Sequence, residues 1–379
     1  MSTKALSRKI ARLLAQADIK INGGRPWDIH VINKDFYAAV LTHGSLGLGE
    51  SYMAGWWECQ KLDEFFFRVL RAGLDEQSRS WAWLYDIIKA RLCNLQKPSR
   101  AFTIGHHHYD IGNELYQHML DRHMIYSCGY WEQAETLDQA QEAKLDLVCR
   151  KLQLQPGMRL LDIGCGWGGT ARFAAQRYGV EVVGVTVSAC QAEFGRQLCR
   201  GLPVEIRLQD YRELNETFDR IVSIGMFEHV GYKNYATYMK VARRCLKNDG
   251  LFLLHTIGSN RSRTRTDPWI ARYIFPNSMV PSARQISAAL EGLFVLEDWH
   301  NFGSDYDRTL LQWFDNFHRA WNELREQYDV RFYRMWKYYL LASAGAFRAR
   351  SNQLWQVLLS PTGLLGGHRP DRHRSAFGI

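Results

Sequence analysis

The stretch "LLDIGCGWGG", from Leu160 to Gly169, determines how the rest of the sequence is interpreted. It begins with an apolar run of the length of a buried strand, and glycines follow at once. A helical pattern over residues 169–178 comes next. A buried strand, a glycine-rich turn and a helix together let the backbone approach a nucleotide-like ligand closely. We therefore expect a cofactor site at this turn.

Strand and helix patterns alternate along the chain on both sides of this turn. The apolar runs predict strands at 158–164, 181–187, 203–209, 218–225, 250–257, 294–300 and 354–360, and the helical patterns between them predict helices such as 188–201 and 234–247. Such alternation is typical of a doubly wound sheet with mainly parallel strands. The sequence therefore predicts an α/β fold of this class.

The beginning of the chain has a different pattern. Apolar residues at helical spacing predict a small, mainly helical N-terminal domain over residues 1–95, followed by a polar linker at 96–104 and a catalytic domain at 105–379. Two late helices, at about 304–347, are rich in aromatic residues and are expected to cover the catalytic domain. Their aromatic stripe fits the wall of an apolar groove and ordinary core packing equally well.

The composition limits the partners and the compartment. The formal net charge of +9 indicates an anionic partner, either nucleic acid or an anionic membrane surface. No RNA-binding aromatic motif and no zinc finger occurs, which disfavours nucleic acid. The eight cysteines form no CxxC pair and are interpreted as free thiols of a reducing compartment. We expect no signal peptide and no membrane-spanning segment, and hence a cytoplasmic protein.

Two details of the strand ends distinguish between possible cofactors. Asp162 lies two residues before Gly164, where a carboxylate can reach an ammonium group but would repel a pyrophosphate. The strand at 181–187 ends without the acidic residue that holds a ribose in dinucleotide sites. Both details favour S-adenosylmethionine over NAD. A tight turn without any ligand remains the alternative.

Eight motifs carry a resemblance to a known family. In chain order they are "GESYMAGWW" (49–57), "HYDIGN" (108–113), "MIYSCGYW" (124–131), "DIGCGWGG" (162–169), "VTVSACQ" (185–191), "GMFEHVG" (225–231), "LLHTIGSN" (253–260) and "SDYDRTL" (304–310). With these motifs the chain resembles the bacterial cyclopropane-fatty-acyl-phospholipid synthases. The resemblance implies a catalytic domain with the S-adenosylmethionine methyltransferase fold and a helical cover, and an N-terminal domain that helps to engage lipid. It also implies a homodimer that is peripherally associated with the inner membrane.

The activity implied by the resemblance is transfer of a methylene group from S-adenosylmethionine to the cis double bond of an unsaturated phospholipid acyl chain. A bound bicarbonate ion is implied as the base. The residues that match its site are Cys128, Glu228, His255, Ile257 and Tyr306. His255 and Tyr306 can donate hydrogen bonds to an anion, the Cys128 side chain and the Ile257 backbone can add contacts, and Glu228 would accept a bicarbonate hydroxyl proton, because two bare anions repel.

A second set of residues matches the cofactor site of the family. These residues are Tyr126, Ser127, Asp162, Gly164, Cys165, Gly166, Thr186, Val187, Ser188, Gln191, Asp210, Tyr211 and Arg212. Gln191 is expected to satisfy ribose hydroxyls, and Asp210 or Tyr211 to border the adenine. No metal is expected, because the adjacent residues of the run His106–His107–His108 rarely converge on one ion.

The membrane contact has its own candidate residues. The basic loop "SNRSRTRTD" (259–267), with Arg348, Arg350, Arg369, Arg372 and Arg374, is expected to face an anionic leaflet. The main rival function is an enzyme of the same fold that methylates a double bond without closing a ring.

Overall fold

The computed structural model of the chain describes residues 2–77 and 112–369. In the first range the elements are α1 (Thr3–Ala15), β1 (His30–Val31), α2 (Phe36–His43), α3 (Ser45–Met53), β2 (Trp57–Glu58), α4 (Leu62–Arg71) and α5 (Leu74–Gln77). From residue 112 to 259 they are α6 (Asn113–Met119), α7 (Leu137–Lys151), β3 (Arg159–Ile163), α8 (Gly169–Tyr178), β4 (Glu181–Thr186), α9 (Ala189–Leu198), β5 (Val204–Leu208), β6 (Phe218–Ile224), α10 (Phe227–Val230), α11 (Tyr235–Cys245) and β7 (Leu246–Ser259). The remaining elements are α12 (Pro268–Tyr273), α13 (Ala283–Leu290), β8 (Val295–Asn301), α14 (Asp305–Arg319), α15 (Trp321–Leu324), α16 (Val330–Arg348) and β9 (Asn352–Ser360).

The described residues divide into two compact units. Unit 1 contains residues 2–77, Thr264–Pro276 and Tyr306–Asn352, and unit 2 contains residues 112–263, Asn277–Asp305 and 353–369. The expected linker at 96–104, the "HYDIGN" motif up to residue 111, the run at His106–His108, and Arg372 and Arg374 lie outside the described residues.

Unit 2 is built on a seven-stranded sheet with the order β5-β4-β3-β6-β7-β9-β8. The strands from β5 to β7 pair in parallel, whereas β8 and β9 pair antiparallel at the other edge. Each strand predicted from the sequence is present within a few residues of its expected bounds. The predicted doubly wound, mainly parallel fold is therefore confirmed.

The strands of unit 2 are apolar on both faces because helices cover both. Leu161 and Val183 pack in one hydrophobic cluster with α11 and α13. Their neighbours Leu160 and Val182 point the other way and pack in a second cluster with α7 and α8. This two-sided burial explains why the strand sequences read as continuous apolar runs rather than as alternating ones.

Unit 1 is helical and brings together segments that are far apart in sequence. Helix α16 packs on α3 and α4, and Gly345 allows the close approach, since a Cβ there would lie 2.6 Å from the backbone oxygen of Asp63. The helices at 304–347 were expected to belong to the catalytic domain as its cover. In the structure they cluster from Tyr306 onward with the N-terminal helices instead, because long-range contacts such as this one join them.

The aromatic stripe of α14 is mostly core. Leu310, Trp313 and Phe317 are buried, whereas Phe314 is only half-buried.

Within the described ranges, no helix combines the length and the apolar character needed to span a bilayer.

Candidate functional site

The glycine-rich turn joins β3 to α8 in a conformation that requires glycine. Gly164 and Gly166 have φ angles of +83° and +55°, which L side chains rarely adopt. The N–H groups of Gly164 and Cys165 both donate to the carbonyl oxygen of Val185, at 2.9 and 3.1 Å. A Cβ on Gly166 would meet only open space. The turn is thus held against the end of β4 and is open beside Gly166.

Asp162 places a carboxylate inside the end of β3. The residue is 2% exposed, and its Oδ2 has no hydrogen-bond partner among the described residues. Burial raises the pKa of this carboxyl group to about 7, although the positive charge of Lys144 opposes the shift. A buried carboxylate without a partner is costly. Asp162 is therefore suited to receive a cationic group of a ligand.

The turn after β4 forms a small hydrogen-bonded unit. The Thr186 hydroxyl donates to Oε1 of Gln191 (2.9 Å), and the Ser188 hydroxyl caps α9 by accepting from the Gln191 N–H (3.3 Å). Val187 between them is half-buried. The Gln191 side-chain nitrogen is the group left to donate to a ligand, which agrees with its predicted contact with ribose hydroxyls.

The segment after β5 is tied to itself and to the core. The Arg212 Nε donates to Oδ1 of Asp210 at 2.9 Å. The Tyr211 ring packs 5.0 Å from that of Tyr238 in a hydrophobic cluster, and burial raises the pKa of Tyr211 to about 12. Contact of this segment with adenine stays a prediction.

The segment from Tyr126 to Cys128 is anchored on α7. Ser127 accepts two hydrogen bonds, from the Gln141 side-chain amide to its carbonyl oxygen (2.7 Å) and from Lys144 Nζ to its hydroxyl (3.0 Å). Cys128 is fully buried and its thiol donates to the Gly129 carbonyl oxygen at 3.1 Å. The Tyr126 ring lies 5.2 Å from that of Tyr116.

The preceding residues lie against the glycine-rich turn. A Cβ on Gly169, the first residue of α8, would lie 2.0 Å from the carbonyl oxygen of His123. Only glycine allows the two backbones to approach so closely. The structure therefore brings His123, the residue just before the "MIYSCGYW" motif, against the start of the helix that follows the turn.

A second polar group lies where β6 and β7 end. The Glu228 Oε1 accepts the Ile257 N–H at 2.7 Å, and its Oε2 is buried without a partner in the part of the chain that is described. Burial raises the pKa of Glu228 to about 7. The Ile257 N–H, expected as a direct contact to an anion, is thus already used to orient Glu228.

His255 stands in β7 opposite Ile224, the last residue of β6. Burial lowers the pKa of its imidazole well below the ordinary value, so the ring is neutral. The side-chain nitrogen of Gln356 lies 3.4 Å from Nδ1 of His255. The other ring nitrogen, Nε2 of His255, has no partner within the described ranges. Tyr306, the fifth predicted catalytic residue, belongs to unit 1, where its ring packs 4.5 Å from that of Phe347.

A buried polar stripe on α7 was not predicted from the sequence. Gln141, Lys144 and Lys151 recur at positions i, i+3 and i+10, and all three are buried. The Lys151 Nζ lies 3.2 Å from Oδ2 of Asp298 and 3.2 Å from Nδ1 of His300. Polar residues at helical spacing on a face that must be buried were the available signal.

The chain is similar to a known protein family and to several solved structures. The model of the protein family described as mycolic acid cyclopropane synthetase matches residues 96–357 of this chain. A cyclopropane-fatty-acyl-phospholipid synthase of Escherichia coli (strain K12) is 58% identical over 349 residues, which are 92% of this chain and 91% of that protein. The cyclopropane synthase MmaA2 from Mycobacterium tuberculosis is 33% identical with a TM-score of 0.65, covering 70% of this chain and 99% of its own. The mycolic acid cyclopropane synthase CmaA1, solved in complex with SAH and CTAB, is 33% identical with a TM-score of 0.64, covering 68% and 97%.

Proposed function

Because the chain belongs to the mycolic acid cyclopropane synthetase family, we propose that it transfers a methylene group from S-adenosylmethionine to the cis double bond of an unsaturated phospholipid acyl chain. The relative that is 58% identical over nearly the whole chain bears the name of this activity. The CmaA1 structure, which shares the fold, was solved with SAH. Both support the cofactor and the lipid class of the substrate.

The observation that carries the proposal is a set of buried polar atoms that lack partners. They are Oδ2 of Asp162, Oε2 of Glu228 and Nε2 of His255, all near the ends of β3, β6 and β7, and no group in the described residues satisfies them. Doubly wound folds bind ligands beside the carboxyl ends of their parallel strands. Leaving several such atoms unsatisfied is costly unless ligands complete the site. Asp162 suits a cation, and the other two atoms suit an oxyanion that carries a proton.

The proposed chemistry explains why the site is buried. Bound S-adenosylmethionine supplies an electrophilic methyl group, and an isolated alkene attacks it only when held in line in a water-poor site. Attack leaves a carbocation on the acyl chain, which water would convert to an alcohol. The ring closes only when a proton leaves the new methyl group, so a base must lie close to that group.

The residues of unit 2 fit a small anion as this base. We infer that the side-chain nitrogen of Gln356, which can only donate, donates to Nδ1 of His255, so that the ring proton would lie on Nε2. This places an N–H donor in the site, and Glu228 Oε2 would accept the hydroxyl proton of bicarbonate, which would supply the base. The nucleophile is the alkene, so Cys128 needs no covalent role. Tyr306 is part of the proposal on the resemblance alone.

Access to the substrate requires contact with a membrane. Withdrawing a dozen methylenes from a bilayer costs on the order of 10 kcal/mol, which only an apolar binding site can offset. We propose peripheral docking through the basic loop, in which Arg261 and Arg263 are exposed. The resemblance also suggests a homodimer, which light scattering during gel filtration tests directly.

The function is tested with S-adenosylmethionine that carries a ¹³C-labelled methyl group, vesicles of unsaturated phospholipid, and bicarbonate either added or withheld. Labelled cyclopropane signals far upfield in the proton spectrum of the extracted lipid, weaker without bicarbonate, are the expected result. A labelled open-chain alkene would instead identify a methyltransferase without ring closure. Absence of label in any lipid would contradict the proposal.

A matched pair of variants locates the chemistry. Glu228→Gln should abolish most of the cyclopropane signal, whereas Glu291→Gln, at an exposed position, should retain it. Equal activity of the two variants would exclude Glu228 from the site.

A further inference from the structure

Lys144 is a fully buried lysine in the middle of α7. Its Nζ donates one hydrogen bond, to the Ser127 hydroxyl at 3.0 Å, which is the one acceptor that the described part of the chain provides for its three N–H groups. A buried ammonium group with a single acceptor is costly unless charge nearby compensates it. The site described above assigns no role to this charge.

Two buried carboxylates raise the pKa of Lys144, and Asp121 does so more strongly than Asp162. Asp121 already accepts the N–H groups of His123 and Ile125, whereas Oδ2 of Asp162 has no partner in the described residues. Lys144 and Asp162 each shift the pKa of the other. Their side chains nevertheless form no direct ion pair within the described residues. A buried cation and a buried anion thus influence each other without a direct contact that would neutralise them. A zwitterion placed between them would satisfy both, and the amino-acid end of the S-adenosyl cofactor is one.

We propose that Lys144, acting through the Ser127 hydroxyl, recognises the carboxylate of the cofactor's amino-acid end, while Asp162 receives its ammonium group. This inference rests on the proposed function. It adds a residue that determines which cofactor binds. Lys144 is a positioning residue, and Ser127 makes the contact.

The direction of the hydrogen bonds supports this assignment. An ammonium group can only donate, so the Ser127 oxygen accepts from Lys144 and its own hydrogen is left to donate onward. A hydroxyl polarised by a neighbouring ammonium group is a stronger donor to a carboxylate. The Gln141 side chain also holds the Ser127 carbonyl oxygen, so the position of this residue is fixed from two sides.

The test is calorimetric titration of the full-length protein with S-adenosylhomocysteine and with its decarboxylated analogue. Lys144→Met should weaken binding of S-adenosylhomocysteine about 10- to 100-fold, the range expected for loss of a hydrogen bond with a charged group. Binding of the decarboxylated analogue should not change. Ser127→Ala should have the same selective effect, and combining the two substitutions should add little further loss.

Lys151→Met is the matched control. It removes another buried lysine from the same helix face, one that pairs with Asp298 and His300 instead. In the Lys151→Met variant, the ratio of the affinity for S-adenosylhomocysteine to that for the decarboxylated analogue should remain that of the unaltered protein. Because Ser127→Ala deletes a single oxygen atom, it provides the answer even if Lys144→Met does not fold.

Equal weakening of both ligands by Lys144→Met and Ser127→Ala would overturn the inference, since it would indicate a purely structural role. An unaltered protein that binds both ligands equally would also overturn it and leave the proposed function intact. Failure of the unaltered protein to bind S-adenosylhomocysteine at all would overturn the proposed function as well.

Discussion

The side-chain nitrogen of Gln356 in β9 lies 3.4 Å from Nδ1 of His255 in β7, and both side chains are buried. We infer that this amide nitrogen, which can only donate, donates to Nδ1 of His255. This arrangement would place the ring proton on Nε2, the atom that has no partner in the described residues. A residue on a neighbouring strand thus sets the hydrogen-bonding role of the predicted catalytic histidine.

We expect Gln356→Glu to lower the rate of methylene transfer by at least about a hundredfold, the typical minimum for loss of one positioned hydrogen-bond donor in an active site. A carboxylate there would accept from Nδ1 and leave Nε2 as an acceptor, which repels an anion. Nitrogen-15 NMR of the histidine rings should show the tautomer of one buried histidine inverted. An unchanged tautomer together with full activity would contradict this role of Gln356. The control is Gln353→Glu, three residues away on the same strand, in which the tautomer of His255 should not change.

Much of the catalytic unit was predictable because its signals are local. Asp162, Gly164 and Gly166 lie within one strand–turn–helix segment, where spacing alone predicts the turn. The parallel sheet likewise follows from runs that are apolar because both faces are covered. Matching motifs then indicated Glu228 and His255, whose buried unpartnered atoms the structure places near the ends of β6 and β7.

The features that escaped prediction depend on long-range contacts. Lys144 lies 17 residues from Ser127, and Gln356 lies 101 residues from His255. Each looks like an isolated polar residue in an apolar element until the partner is known. The packing of α16 with the N-terminal helices also depends on long-range contacts. Small residues such as Gly345 allow this close approach, and the sequence does not show which segment they contact.

The buried Glu228 should make the stability of the protein depend on pH. Its pKa is raised to about 7 in the folded chain, above the value near 4.3 of an exposed glutamate. The folded state therefore binds more protons between these values, and the free energy of unfolding falls by about 4 kcal/mol as the pH rises through this window. Glu228→Gln should remove this loss.

Urea unfolding at pH 5 and pH 8 measures the effect. The variant should be more stable than the unaltered protein at pH 8 and differ little at pH 5, although its transfer activity is low. Glu291→Gln, at an exposed site, should follow the unaltered protein at both values. A Glu228→Gln variant that is less stable at pH 8 would show that Glu228 is not strained by burial.

Arg348 was expected to face a membrane, but it stabilises unit 1 instead. Its guanidinium group lies 2.8 Å from Asp63, 3.4 Å from Glu64 and 2.9 Å from Asp307. These carboxylates raise the pKa of Arg348 despite its partial burial. Because the group remains partly exposed, we expect Arg348→Ala to cost only about 2 kcal/mol in the free energy of unfolding.

The same variant should bind anionic vesicles normally, because the charge it removes is already balanced. Arg331→Ala, at an exposed position of the same helix, controls for loss of a positive charge and should leave the urea midpoint nearly unchanged. Equal midpoints for the two variants would show that the ion-pair cluster contributes no stability.

The basic loop is the remaining candidate for membrane docking. Arg261 and Arg263 are exposed, and Arg265 is half-buried. Each cation near an anionic leaflet contributes up to about 1 kcal/mol, so replacing all three by alanine should weaken binding to anionic vesicles by at least about tenfold at low salt. Sedimentation with vesicles measures this, and the difference should shrink at high salt as screening increases. A control that replaces the exposed Arg177, Arg200 and Lys240 by alanine removes the same net charge at positions of unit 2 outside the loop. Equal losses in both variants would mean that overall charge, rather than this loop, drives docking, and full sedimentation of the loop variant would exclude the loop altogether.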